Sequence, residues 1–141
     1  SSDGVEGGLT EEDSLRAARL MVEHGAAGIE VSGAWRDCNV REFGGEPFFA
    51  SYARRLAREV DVPVILTGGN RNVAAMERLA TEDGIAAFGL CRPLICEPDL
   101  PNRWKADPSY APRCVSCDGC DKPPGHRCIL PNTPQVVTPD C

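Results

Sequence analysis

The chain has 141 residues, 42% hydrophobic and 26% charged, with a net charge of -6. That is the make-up of one soluble globular domain, and it excludes a disordered chain and argues against a nucleic-acid binder, which would carry a basic stripe. No window approaches the roughly 18 uninterrupted apolar residues of a membrane span, and the acidic start is unlike a secretory signal, so a cytoplasmic protein is expected.

Thr10 followed by Glu11, Glu12 and Asp13 predicts a helix start, with Thr10 as N-cap and Asp13 as its capping-box partner. Leu15, Ala18, Met21 and Val22 recur at helical spacing, and Gly25 is placed to end the helix. A short strand over Ala27 to Ser32 comes next. The loop from Gly33 to Glu46, with Trp35 and Cys38, is long for a connection in a compact domain, and loops of this size are often functional. Pro47 is expected at the first turn of a helix whose apolar stripe is Phe49, Tyr52, Ala53, Leu56 and Ala57. A strand from Val62 to Thr67, a helix from Val73 to Ala80 and a strand from Ile85 to Leu90 complete three αβ units. Helices alternating with near-continuous apolar strands imply a parallel sheet with helices on its outer face. In such sheets ligands sit at the carboxyl ends of the strands.

Two of those ends carry small residues. Val64-Ile-Leu-Thr-Gly-Gly-Asn-Arg71 and Ile85-Ala-Ala-Phe-Gly-Leu-Cys-Arg92 each run from an apolar strand through glycine into a helix. Without a Cβ, Gly68 and Gly69 can adopt positive φ and turn successive N–H groups toward phosphate oxygens. Asn70 would lie near the next helix N-terminus, Gly89, Leu90 and Cys91 would add further N–H groups, and Arg92 a fixed positive charge. The expectation is a phosphate-bearing cofactor; a pair of tight turns with a surface arginine is the plainer alternative.

From residue 98 the composition shifts to a proline-punctuated stretch with one short helix around Trp104. Four of the eight cysteines then follow as Cys114, Cys117, Cys120 and Cys128, with the spacing C-x2-C-x2-C-x7-C. Such crowding suits metal or cluster binding in a reducing compartment better than a disulfide framework. An iron–sulfur cluster, a zinc ion and free thiols are all compatible with the spacing, and His126 could replace one ligand. Cys38, Cys96 and Cys141 are isolated in the sequence. Glu30 and Ser32 lie at a strand end, where a barrel enzyme would keep its site.

Glu6-Gly-Gly-Leu-Thr10, Gly28-Ile-Glu-Val-Ser-Gly33, Pro63 to Arg71 and above all Leu90-Cys-Arg-Pro-Leu-Ile-Cys-Glu-Pro-Asp-Leu-Pro-Asn-Arg-Trp104 resemble the C-terminal part of the NADH:flavin oxidoreductase family, the old-yellow-enzyme-like and 2,4-dienoyl-CoA-reductase-like ene-reductases. The resemblance implies a (β/α)8 TIM barrel holding FMN at its C-terminal face, of which residues 1–97 would form the last three αβ units. Residues 98–113 would be a linker, 114–128 a cysteine-cluster segment in a Cys-rich C-terminal extension, and 129–141 an extended tail. It further implies that Gly68, Gly69, Asn70, Gly89, Leu90, Cys91 and Arg92 bind the FMN phosphate, and that Cys114, Cys117, Cys120 and Cys128 hold a 4Fe-4S cluster. In the family, NAD(P)H reduces FMN and the flavin passes hydride to an activated alkene. The substrate-carbonyl ligands and the proton-donating tyrosine lie on earlier strands, so no catalytic residue is assigned here. Many relatives have glycine or alanine where Cys91 stands, and the gap before Cys128 is short for the iron–sulfur members. A barrel needs about 250 residues, so an N-terminal half-barrel or self-association is expected to cover the open sheet edge. The alternative is a non-catalytic module that binds phosphate or metal.

Overall fold

The computed structural model describes residues 6–33, 46–122 and 127–130. The chain divides into two compact units, Ser1–Leu90 and Cys91–Cys141.

The first unit opens with helix α1, Glu11–Glu23, whose start is a full capping box. The Asp13 N–H donates to Thr10 Oγ1 at 3.1 Å, and the Thr10 N–H and hydroxyl donate to the Asp13 carboxylate at 3.2 and 2.5 Å. Those bonds from Thr10 hold the Asp13 carboxyl below its usual range. Past Glu23 the chain turns through Gly25 at φ 96°. Strand β1, Ile29–Val31, follows.

Helix α2 is Ala50–Ala57 and begins three residues later than Pro47 suggests. Pro47 instead opens a turn, its carbonyl accepting the Ala50 N–H at 3.1 Å, while the Phe48 N–H donates to Gly68 O at 3.1 Å. That bond commits residue 48 to the neighbouring strand exit and delays the helix. The expected stripe holds, with Phe49, Tyr52, Ala53 and Leu56 buried.

Strand β2, Val64–Thr67, leads through the glycine pair to helix α3, Val73–Asp83. Asn72 caps α3 by accepting the Ala75 N–H at 3.0 Å. The helix runs three residues past the expected end at Ala80 and stops at Gly84, φ 72°. Its last turn is useful because the Asp83 carboxylate accepts from Arg54 Nε of α2 at 2.8 Å, and Arg54 also grips Glu46 at 3.0 Å. These two acids raise the Arg54 pKa further above its already high value.

Strand β3, Ile85–Gly89, completes a parallel sheet in the order β1-β2-β3. Val64 pairs with Ile85 but Ile65 pairs with Ala87, so Ala86 is an extra residue, a bulge. The bulge lets both Ile85 and Phe88 turn toward the helices, where they join Val31, Val64 and Leu66 of the sheet and Leu15, Leu56 and Leu79 of the helices. Each of those leucines is 0% exposed, a burial that stabilises by about 1.5–3 kcal/mol per side chain. Alternation sends Glu30, Ile65, Thr67 and Ala87 to the opposite face; Glu30 and Ala87 are exposed there.

The second unit holds helices α4, Arg92–Cys96, and α5, Leu100–Ala106, and a 3-10 turn at Gly119–Asp121. Residues 98–113, expected as a linker, carry α5 and a buried polar knot. Glu97 is 1% exposed, and its carboxylate accepts from the Tyr110 hydroxyl at 2.5 Å and the Arg113 N–H at 2.6 Å. Trp104 Nε1 donates to Tyr110 O at 3.0 Å, which folds the proline-rich stretch back on α5. Among the described residues, no helix is long and apolar enough to cross a membrane. Trp35, Cys38, His126 and Cys141, with most of the 33–46 loop and all of the 131–141 tail, lie outside the described residues.

Candidate functional site

The carboxyl ends of β2 and β3 meet in the first unit. Gly68 and Gly69 stand at φ 109° and 80°, a conformation that L side chains rarely adopt. Among the described residues their backbone N–H groups donate to no backbone acceptor. Crowding adds a second reason for glycine: a Cβ would come within 3.1 Å of the Phe49 ring at Gly68 and of the Phe48 backbone nitrogen at Gly69. The phenylalanine pair therefore seats the turn, which sequence spacing alone does not reveal.

Asn70 is 2% exposed. Its side-chain Nδ2 donates to Leu66 O at 2.7 Å and to Gly89 O at 2.8 Å, tying the two strand exits together. With both amide protons spent on backbone carbonyls, this side chain has none for an anion. Its Oδ1 is buried with no partner among the described residues. At Gly89 a Cβ would fall 1.9 Å from Thr67 Oγ1, so the strand approaches its neighbour too closely for any side chain. The Thr67 hydroxyl donates to Glu30 Oε1 at 2.7 Å, which gives Glu30 a hydroxyl partner rather than the basic residue that its charge would attract. Gly89 and Leu90 complete the part of the expected phosphate set that lies in this unit.

Cys91 and Arg92 belong to the second unit, at the start of α4. Cys91 is exposed, and Arg92 is ion-paired with Asp118. That pair borders a small, partly open cavity whose walls include Cys114, Cys117, Cys120 and Cys128. Left-handed backbone at Ser116, φ 57°, and Asp118, φ 53°, bends the chain on either side of Cys117. At Gly119 a Cβ would meet the exposed Ile129 side chain at 2.4 Å, so that side chain would have to move. Burial, then the Asp121 carboxylate, pushes the Cys120 thiol up. Among the described residues, no three or more His, Cys, Asp or Glu side chains form a ready-made site for a metal ion.

A fifth thiol, that of Cys96, adjoins this set without any spacing signal in the sequence. It is 1% exposed. Burial first, and then a hydrogen bond with the Cys128 thiol, push it up to about 12.

Parallel αβ units with glycine turns at their carboxyl ends make this an α/β protein whose three-stranded parallel sheet is consistent with a partial TIM-barrel-like fold, and the comparisons narrow the class. No protein-family model matches the chain. It is 30% identical over 87 residues to a 4,4'-dithiodibutanoate disulfide reductase of Rhodococcus erythropolis, covering 60% of this chain and 21% of the relative. It is 28% identical over 102 residues to an NADH-dependent flavin oxidoreductase of Hypocrea jecorina, covering 63% and 25%. A metal reductase of Desulforamulus reducens is 27% identical over 126 residues, covering 84% and 19%. Among solved structures, a 2-naphthoyl-CoA reductase in complex with 2-naphthoyl-CoA superposes with a TM-score of 0.62 on 81% of this chain and 18% of its own, at 19% identity, a likeness of fold alone. The chain is thus similar to segments of flavin-dependent and other reductases, and spans between 19% and 25% of the length of the curated relatives it matches.

Proposed function

We propose that this chain forms the C-terminal portion of an FMN-dependent oxidoreductase that takes electrons from NAD(P)H and reduces activated alkenes. The observation that carries the reading is the glycine pair: two consecutive N–H groups at positive φ, without a backbone acceptor among the described residues, at the carboxyl end of a parallel strand. Such groups fit a phosphate. FMN, when bound, supplies hydride transfer between the nicotinamide and the acceptor. In this reading the chain's own residues anchor the cofactor: Gly68 and Gly69 hold the phosphate through backbone N–H groups, Asn70 fixes the spacing of the strand exits, and Gly89 and Leu90 border them. Cys91 and Arg92 stay in the set as sequence expectations only.

The cysteine segment supports a 4Fe-4S cluster as a second cofactor. Its donor set fits: four thiols line one cavity, soft ligands for iron or zinc. A single zinc at about 2.3 Å from four sulfurs would draw them to about 3.8 Å from one another. The C-x2-C-x2-C-x7-C spacing is compatible with either group, and the cluster is preferred on the family resemblance. The alternative reading, a non-catalytic metal module, draws on the compactness of the second unit by itself.

Anaerobic purification followed by a visible spectrum tests both cofactors. Resolved flavin bands, restored by FMN alone or with a candidate N-terminal half-barrel, support the reading, as does a broad brown absorbance for the cluster. Failure to bind FMN even in the reconstituted barrel removes the phosphate-site assignment, and a colourless zinc protein removes the redox role of the cysteines.

A further inference from the structure

Helix α4 is short, yet the cysteine segment is fastened at both of its ends. At its first residue, Arg92 is ion-paired with Asp118, which lies between Cys117 and Cys120. Just past its last residue, the buried Glu97 carboxylate accepts the Arg113 N–H at 2.6 Å, and Arg113 directly precedes Cys114. The other Glu97 oxygen accepts the Tyr110 hydroxyl, which fixes the orientation of this carboxylate. Between the two anchor points the backbone is left-handed at Ser116, φ 57°, and again at Asp118, φ 53°. Non-glycine residues in that region cost free energy and persist only where the surroundings over-determine them. The two attachments to α4 supply that constraint.

We propose that Arg92 and Glu97 are positioning residues that, from opposite ends of α4, fix Cys114, Cys117 and Cys120 at the wall of the cavity before any metal arrives. Arg92 thereby serves the cysteine segment, a role that a phosphate-binding arginine read from sequence leaves out. A loop already set in place loses less freedom when its thiols close on a soft metal centre, and supporting contacts of this kind typically change metal affinity about 10–100-fold. The gain in metal affinity rests on the reading of the cysteines as ligands; the bracket formed by the two attachments does not.

The test uses the full chain, freed of metal by a chelator under reducing, anaerobic conditions. Hydrogen exchange reads the Arg113 amide and those of α5, timed alkylation with mass spectrometry reads each cysteine, and zinc alone, in competition with a chromophoric chelator, reads affinity. Asp118→Asn, at a side chain 41% exposed, removes the charge with little change of shape. Cys117 and Cys120 are then expected to alkylate about 10-fold faster, the factor expected for one charge-assisted hydrogen bond, while the α5 amides keep wild-type protection. Arg92→Ala should repeat the effect and Arg92→Lys, which keeps the charge, should reverse it. Glu97→Ala should free the Arg113 amide and speed alkylation of Cys114. Asp118→Asn, Arg92→Ala and Glu97→Ala should each bind zinc about 10-fold more weakly or worse. The bracket is overturned if Asp118→Asn leaves the Cys117 and Cys120 rates unchanged, or if α5 loses protection to the same degree, which marks a general loosening. Faster alkylation with unchanged zinc affinity overturns the role in metal binding. A wild-type chain that takes up no zinc counts against the ligand reading of the cysteines, and the exchange and alkylation rates still decide the bracket. Should Glu97→Ala unfold the unit, the Asp118 variant decides by itself.

Discussion

Asn70 joins the exit of β3 to that of β2: its Nδ2 lies 2.8 Å from Gly89 O and 2.7 Å from Leu66 O. A carboxylate of the same size offers no proton to either carbonyl. Asn70→Asp is therefore expected to destabilise the first unit by roughly 2–5 kcal/mol, since each buried carbonyl left without a donor costs about 1–3 kcal/mol and the new charge has no partner. Urea unfolding followed by far-UV circular dichroism measures it; a loss below about 0.5 kcal/mol, the usual size of a surface change, would show that the clamp is unimportant.

Gly89 and Thr67 are close enough to make a double-mutant cycle informative. Gly89→Ala places a methyl 1.9 Å from Thr67 Oγ1, and the resulting overpacking is expected to cost about 1–3 kcal/mol. In a Thr67→Ala background the clashing hydroxyl is gone, so the same substitution should cost less, with a coupling of about 0.5–3 kcal/mol. Equal costs in the two backgrounds would mean that the strands simply separate.

The Tyr110 hydroxyl donates to buried Glu97, and this bond, reinforced by burial, raises the Tyr110 pKa. A proton held more tightly in the folded state than in the unfolded one stabilises the fold in full below the unfolded value of about 10, and the contribution disappears as pH rises through the folded value. The second unit should lose stability above about pH 10, and Tyr110→Phe should flatten that decline. Trp104 fluorescence in a Trp35→Phe background follows this unit. Glu97→Gln, which strips the carboxylate from the Tyr110 and Arg113 donors, should cost about 1–3 kcal/mol at neutral pH.

Metal content gives a further check on the cysteine cavity. The Cys120 thiol is pushed up by burial and by Asp121, and a ligand must lose its proton to bind. Iron or zinc uptake by the chelated chain should therefore fall as pH falls, and Asp121→Asn should move that fall to lower pH. Cys120→Ser should lose most of the bound metal. Iron, zinc and acid-labile sulfide analysis measures all three, and unchanged occupancy in Cys120→Ser would remove it from the ligand set.

Local signals made much of the first unit legible. Thr10 and Asp13 announce their capping box, and the apolar stripe of Tyr52, Ala53 and Leu56 faces the core. The errors come from long-range bonds. Pro47 favours a helix start, but the Phe48 bond to Gly68, twenty residues away in numbering, overrides it. Thr81 to Asp83 lack apolar periodicity, and only the Arg54 contact from α2 shows why the helix continues there. Glycine at 68 and 69 reads as a ligand turn, while the phenylalanines that occupy the missing Cβ space are evident only in three dimensions. Cys96 gave no spacing signal because its partner lies on a different loop of the second unit.

The extra residue at Ala86 acts as a phase setter for β3. Were Ala86 paired as an ordinary strand residue, Ile85 and Phe88, three positions apart, would point to opposite sides, and only one could reach the helices. One inserted residue thus decides two things together: that an aromatic ring packs into the core, and that the next residue, a glycine, arrives beneath Thr67. Drawing Ala86 into regular pairing would reverse that order and aim the Phe88 ring at the open face beside Glu30 and Ile65.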